Sequence, residues 1–415
     1  MSILSRLTPF HGPIVSVFDQ AFVSLANFLT GVLVARAVSQ EAFGTFTLLY
    51  TSLVIVSILS NALIISPMRV VGVKHIDNKS YIYNTVAIQG ILAGLFALLA
   101  IIIGLVFLPI HIVVLFALSL FLYQLQQLVR SIFQTSIKVN SLLAIDASSN
   151  IIRVALLFYF LHADQLSIAI ALIALIISSL MTCAGFIWIR GNPEHKPIKL
   201  QQTHQENWQY GRWILADVIL TVISLQAYLY YAGIWLDMQS VGGLGAMQNL
   251  LNTVNVIQIG FMAVAIPMAR TKLEKQGYQA WKRWNFALLI ILPGSISIIL
   301  GLLSWYSSAI MGLIYANKFN DFAYLLPFFA CAYVLATLNT VLANAFRTAG
   351  KPSLGLHGKA GSAGFTLLCA YFLIQHFGVI GAVGGIVLSQ TLICVVYVSY
   401  IVAGKLSQAN IDVAR

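Results

Sequence analysis

The sequence predicts an all-α polytopic membrane protein with about 12 transmembrane helices. Composition gives the first indication, because 60% of the 415 residues are hydrophobic, only 8% are charged, and the mean hydropathy is +0.90. The second indication is that continuous apolar runs of about 20 residues recur along the chain, each long enough to cross about 30 Å of hydrocarbon. These runs do not alternate and are about twice as long as a tilted barrel strand needs, which argues against a β-barrel.

The predicted spans are joined by short loops that leave no room for a soluble domain. In the first half they cover 13–35, 42–66, 81–107, 111–133, 142–162 and 166–189. In the second half they cover 209–236, 241–267, 284–306, 320–343, 359–376 and 379–403. The predicted parts are an N-terminal six-helix lobe (1–189), a cytoplasmic linker (190–208), a C-terminal six-helix lobe (209–405) and a cytoplasmic tail (406–415).

The Lys and Arg residues fall in alternate loops, which predicts that both termini are cytoplasmic. Arg36 and Lys318 lie on the outer side and Arg153 lies within a span, whereas the others, including Arg130 near the end of span four, are placed at cytoplasmic ends. The net charge of +11 is therefore a topology signal. Its dispersion over short loops argues against a nucleic-acid-binding face.

A weak internal duplication relates the two halves. The motif SPMR at 66–69 ends span two, and IPMAR at 266–270 ends span eight. Likewise FQTSIK at 133–138 follows span four, and FRTAGK at 346–351 follows span ten. Because each half has an even number of spans, the halves point the same way. We therefore expect a pseudo-twofold axis along the membrane normal, as in transporters built from parallel repeats.

Several ionisable residues lie too deep for contact with lipid. A charge at mid-membrane costs roughly 2.5–3.5 kcal/mol on insertion scales, so each must face protein or a water-filled cavity. Asp19 on span one, Asp217 on span seven and Asp146 on span five are the candidate ion-coupling residues. Arg153 lies roughly 16 Å into span five, where its guanidinium would bind an anionic headgroup. A structural role is the alternative, with Asp146 paired to either Arg153 or Lys359.

Amide side chains recur at helical spacing on spans four and eight, and one more lies on span one. We predict that they line a wet cavity; the residues are Asn27, Gln124, Gln127, Gln248, Asn252 and Asn255. The alternative is that each joins helices, a role worth about 0.6 kcal/mol. The sequence has no phosphate-binding loop, no Ser-His-Asp arrangement and no His pair or CxxC at metal-ligand spacing, so we expect no catalytic residue, cofactor or metal.

Two stretches carry a family resemblance. The segment NFLTGVLVARAVSQEAFG at 27–44 resembles the opening of bacterial polysaccharide exporters and O-antigen flippases. These belong to the multidrug, oligosaccharidyl-lipid and polysaccharide (MOP) exporter superfamily. GAMQNLL at 245–251 and PMAR at 267–270 resemble the start of the second lobe in that superfamily. The chain departs from the family pattern at 39–40, where Ser-Gln replaces the usual Gly-Pro.

The resemblance implies a V-shaped pair of six-helix bundles, with spans one, two, seven and eight lining a central cavity. It further implies a non-enzymatic flippase of the bacterial inner membrane that moves a lipid-linked oligosaccharide by alternating access, alongside other polysaccharide assembly proteins. A cation-coupled multidrug exporter of the same superfamily is the first alternative. The second, from a different class, is a membrane-embedded polysaccharide polymerase or glycosyltransferase.

Overall fold

The computed structural model describes residues 3–70, 79–136, 139–190 and 200–407, which form helices with no β-strand among them. The predicted all-α class is confirmed. The helical elements are α1 (Ile3–Ala37), α2 (Gln40–Ser60), a π-helical turn (Asn61–Ile65), α3 (Ser66–Val70), α4 (Lys79–Phe107), α5 (Ile110–Thr135), α6 (Val139–His162), α7 (Ile168–Arg190), α8 (Leu200–Trp235), α9 (Met238–Asn252), α10 (Asn255–Trp305), α11 (Ser307–Tyr315), a 3-10 turn (Asn320–Leu325), α12 (Leu326–Thr348) and α13 (Ser353–Val402). Most of the predicted linker (191–199) and tail (408–415) lies outside the described residues.

Ten helical stretches in the described part of the chain are long and apolar enough to cross a membrane. Two of them, Ile257–Trp305 and Ser353–Val402, each contain a glycine with a non-helical backbone, Gly277 at φ 81° and Gly378 at φ 58°. Glycine adopts such angles readily because it has no Cβ. Each of these two stretches therefore consists of two helical segments. The ten stretches of the described residues thus correspond to twelve spans, the number that the sequence predicts.

The second span ends in an irregular turn. Residues Asn61–Ile65 form a π-helix, and the Ser66 N–H donates to the carbonyl of Asn61, five residues back instead of four. The π-turn sets the register of α3, which follows directly. Arg69 of α3 thereby reaches α5, where its Nε donates to Ser131 at 2.9 Å and its Nη2 donates to Gln134 at 2.6 Å.

The described residues of 1–39 and 49–218 form one compact unit, called unit 1. Within it α5 packs against α4, α6 and α7, while α1 packs against α6. A cluster of buried apolar side chains joins α2, α5 and α7, with Leu53, Phe116 and Leu172 among its members. Because α6 contacts both α1 and α5, polar side chains on the facing sides of these three helices come together inside the unit.

The described residues of 40–48 and 219–415 form unit 2. Its α12 packs against α10 and α13. Phe346 of α12 and Tyr397 of α13 meet edge to face with ring centroids 5.2 Å apart, and the Tyr397 hydroxyl donates to the Gly355 carbonyl at 2.7 Å. The two units are defined by the contacts within each of them, and they do not test where the membrane lobes begin and end. The lobe boundaries predicted from the loops therefore stay a prediction.

The first nine residues of α2 pack on α9 within unit 2 at a glycine-lined seam. A Cβ added at Gly44 would lie 1.9 Å from the carbonyl oxygen of Met238, and one added at Gly242 would lie 2.3 Å from that of Gln40. The Phe43 ring lies beside the seam, with its centroid 5.4 Å from that of Phe319. The two helix backbones therefore approach so closely that only glycine fits at these positions.

We predict that Gly44→Ala lowers stability by about 1–3 kcal/mol, because the new methyl group has to push the α9 backbone away. The measurement is the thermal unfolding midpoint of the purified chain in detergent. Gly301→Ala is the matched control, since no atom lies within 4 Å of a Cβ at that exposed position in α10. There alanine is expected to be neutral or slightly stabilising. Equal midpoints for the two variants would contradict the close seam.

Candidate functional site

A cluster of buried charges lies inside unit 1, where α1, α5 and α6 meet. The guanidinium of Arg130 on α5 bridges two acids: its Nη2 lies 3.2 Å from Oδ2 of Asp19 on α1, and its Nε lies 2.6 Å from Oδ2 of Asp146 on α6. The side chains of the three residues are 9%, 1% and 0% exposed, in the order Arg130, Asp19, Asp146. The bridge is thus shielded from solvent, where ion pairs are strongest and where losing one partner is most costly.

A second guanidinium lies beside the bridge. Arg153 follows Asp146 by two turns on the same face of α6. It is 2% exposed, and its Nη2 donates to the amide oxygen of Asn27 on α1 at 2.8 Å. Within the described residues no carboxylate lies within ion-pair distance of it. Arg153 therefore holds a neutral partner, while Arg130 holds both acids.

Three charged-group atoms in the cluster are buried without a hydrogen-bond partner among the described residues. They are Asp19 Oδ1, Asp146 Oδ1 and Arg153 Nε. Two acids and two guanidinium groups balance formally, so the cluster as a whole is neutral. Its unused donor and acceptor capacity nevertheless costs free energy, because buried polar atoms ordinarily find partners. Such under-satisfied buried charges are typical of functional sites.

The partner of Asp146 is neither of the two that the sequence left open. It is Arg130, which the sequence analysis places among the charges at cytoplasmic ends and not among the buried groups. The residue lies five positions before the end of α5, and its side chain turns into the bundle, where the two carboxylates attract it. Sequence reasoning missed it because an arginine this near a helix end ordinarily extends to the membrane surface.

The amides of unit 1 divide into two kinds. Gln127 on α5 is half-buried, and its side-chain oxygen accepts from Nη1 of Arg130 at 3.5 Å, so it borders the charge cluster as Asn27 does. Gln124 is fully buried and donates to the Leu53 carbonyl and to the Ser57 hydroxyl of α2 at 3.3 and 3.1 Å. Those bonds join two helices, the alternative that the sequence left open for such amides.

The amides predicted on span eight belong to unit 2. Gln248 and Asn255 are half-buried and Asn252 is exposed. The face that the spacing predicts is interrupted, because α9 ends at Asn252 and α10 begins at Asn255. Between them the Thr253 hydroxyl donates back to the Leu250 carbonyl at 2.7 Å, which favours a local bend.

Asp217, the third candidate acid, lies half-buried on α8. It belongs to the described residues of unit 1, although the predicted lobes place it in the second half. The ion pairs described for Asp19 and Asp146 both go to Arg130. Its proposed part in ion coupling stays a prediction.

The comparisons with known proteins agree on fold and family. A family profile described as polysaccharide biosynthesis protein matches residues 11–271, more than half of the chain. No curated protein matches the sequence significantly. Among solved structures, an inward-facing multidrug resistance MATE family transporter of the MOP superfamily is similar with a TM-score of 0.75, at 12% identity over 94% of this chain and 95% of that one.

Two further structures are similar over nearly the full length. The eukaryotic MATE transporter AtDTX14 gives a TM-score of 0.68 at 13% identity, covering 97% of each chain. A MOP superfamily transporter from Pyrococcus furiosus gives 0.66 at 12% identity, covering 95% of each. At such identities these likenesses establish the shared fold, and the family profile establishes the kinship. The chain therefore belongs to the polysaccharide biosynthesis protein family.

Proposed function

We propose that this protein is an exporter of the MOP superfamily, a flippase that moves a lipid-linked oligosaccharide across the bacterial cytoplasmic membrane by alternating access. The physical task is severe, because each hydroxyl taken unpaired from water into hydrocarbon costs about 4–8 kcal/mol. An oligosaccharide would face a barrier of tens of kcal/mol, so unassisted crossing would be negligible. A polar path through the protein replaces water for the headgroup while the lipid tail stays in the bilayer.

Arg153 is the observation that carries the proposal. It is a buried guanidinium halfway along a membrane-spanning helix, it is held by the neutral amide of Asn27, and its Nε lacks a partner. A guanidinium binds phosphate oxygens through two parallel hydrogen bonds, which makes it suited to the phosphate that joins a glycan to its carrier lipid. Asn27 and Gln127 border the same cluster and supply amide groups that bond sugar hydroxyls.

The multidrug alternative draws support from the similar MATE structures, two of which are described as multidrug resistance transporters. Those chains are 12% identical to this one, and their likeness is one of fold. A fixed positive charge at Arg153 disfavours the entry of a cationic compound. The polysaccharide description of the family profile likewise favours a glycan substrate. The polymerase or glycosyltransferase alternative draws no support from the similar solved structures reported above, which are described as transporters.

The energy source is part of the proposal. The sequence contains no nucleotide-binding motif, so an ion gradient or the consumption of the flipped product on the outer side would drive transport. Asp19, Asp146 and Asp217 stay the proposed ion-coupling residues. The remaining amides, Gln124 among them, are proposed to line the path only where a conformational change exposes them.

We predict that deleting the gene causes lipid-linked glycan to accumulate on the cytoplasmic leaflet, because the step from inside to outside is lost. The measurement is the leaflet distribution of the labelled glycolipid, read with a membrane-impermeant probe on right-side-out and inside-out vesicles. Single repeat units that accumulate on the outer leaflet would instead indicate a polymerase. Unchanged glycan export together with drug sensitivity would indicate a multidrug exporter.

We predict that Arg153→Ala reduces glycan export in the deletion strain at least about 10-fold, since a charged hydrogen bond to phosphate is worth roughly 1.5–3 kcal/mol. Arg153→Lys should retain part of the activity, because it keeps the charge and loses the forked geometry. The matched control is Arg212→Ala, which removes an exposed guanidinium stacked on Trp213 at 5.5 Å. Normal export by Arg153→Ala, with equal amounts of inserted protein, would remove the proposed role of Arg153.

A further inference from the structure

The position of Arg130 between two acids bears on ion coupling and does not depend on the substrate. Two different nitrogens of one guanidinium contact two different carboxylates, Nη2 that of Asp19 and Nε that of Asp146. Both carboxylates are buried, and each keeps a second oxygen without a partner among the described residues. Two carboxylates on two helices thus face a place that is filled by a cation belonging to the chain itself.

We propose that Arg130 is a built-in counter-ion: its guanidinium occupies the place of a small monovalent cation between Asp19 and Asp146, so that this pair binds a proton or a sodium ion only after the guanidinium has been removed or drawn away. Two buried carboxylates this close require a positive charge between them, because neither can stay ionised alone in a low-dielectric interior. With Arg130 between the acids and Arg153 buried beside them, the two negative charges are balanced. Without Arg130, one negative charge is left over, and a mobile cation becomes necessary.

The pair is surrounded by side chains from several helices. Among the described residues, the charged and titratable groups that act on the cluster include Arg153 of α6, Tyr123 of α5, Tyr50 of α2 and Arg69 of α3. Helix α7, which packs against α5 and α6, contributes hydroxyl groups: Thr182 bonds both Gln126 and Ser149 at 3.3 Å. The surrounding cations and neutral groups leave Arg130 as the direct counter-ion of the pair.

The test is the thermal unfolding midpoint of the purified full chain in detergent. Three buffers are compared: choline chloride at about neutral pH, sodium chloride of equal ionic strength at the same pH, and choline chloride at mildly acidic pH. The proteins are the wild type, R130Q, R130K and the triple variant R130Q/D19N/D146N. The R69Q variant is the matched control, because it removes a guanidinium that bonds Ser131 and Gln134 instead of an acid.

We expect the wild-type midpoint to be the same in choline and in sodium, and R130K and R69Q to respond like the wild type. R130Q should unfold earlier in neutral choline and recover by several degrees in sodium, in acid or in both. A ligand that binds only the folded state raises the midpoint, and a folded state that binds more protons than the unfolded state gains stability as the pH falls. Recovery in sodium would indicate that the pair binds a sodium ion, and recovery in acid would indicate that it binds a proton. The triple variant should respond to neither.

Two results would overturn the inference. The first is a rise in sodium or in acid that is as large for the wild type as for R130Q, since the guanidinium would then not keep the cation out. The second is an R130Q midpoint that stays low in all three buffers, which is the result of a purely structural bridge. If R130Q can be purified only in sodium or acid, the inference is supported. If it is lost in every buffer while the triple variant is recovered, the inference fails.

Discussion

The neutralisation of buried charge is the constraint on which the interior of unit 1 depends. A membrane-spanning bundle has no water with which to solvate Asp19 and Asp146, so their charges must be balanced by groups that the helices themselves supply. Arg130 supplies one positive charge in contact with both acids, and Arg153 supplies the second beside them. The three helices that carry these residues are thereby fixed in one arrangement, because a shift of any of them would separate a charge from its partner. Rotation of α5 alone would leave two carboxylates bare.

Arg153 lies in the same cluster with a different kind of partner. Its bond to Asn27 holds the guanidinium in place without neutralising it. An anion that replaced the amide would form a bond in which both partners are charged, and its two oxygens could accept two parallel hydrogen bonds from the guanidinium. Unit 1 therefore contains one arginine that is bonded to carboxylates and another that is bonded to a neutral amide. This division of roles follows from which helix faces the two acids occupy.

Much of this organisation could be predicted from the sequence. Hydropathy located the spans, and the cost of charge in lipid identified Asp19, Asp146 and Arg153 as buried groups. The pattern did not reveal Arg130, because hydropathy does not tell which way a side chain near a helix end turns. The break in the amide face of span eight was likewise invisible, since the bend at Thr253 arises from a local hydroxyl bond that no periodicity records. The depth of a residue in the membrane can be predicted from the sequence pattern. The direction in which its side chain points, and the residue that it bonds, depend on how the helices pack.

The π-helical turn at 61–65 has a consequence for how insertions and deletions would be tolerated. A π-turn holds one residue more than the regular helix around it, so loss of a single residue there would restore α-helical geometry without breaking the chain. Every side chain after it would then rotate by about 100° relative to the helix before it. Arg69 would swing away from α5 and lose both of its acceptors. The additional residue in the π-turn thus fixes the direction in which the Arg69 side chain points. That direction depends on the number of residues in the turn and not on which residues they are.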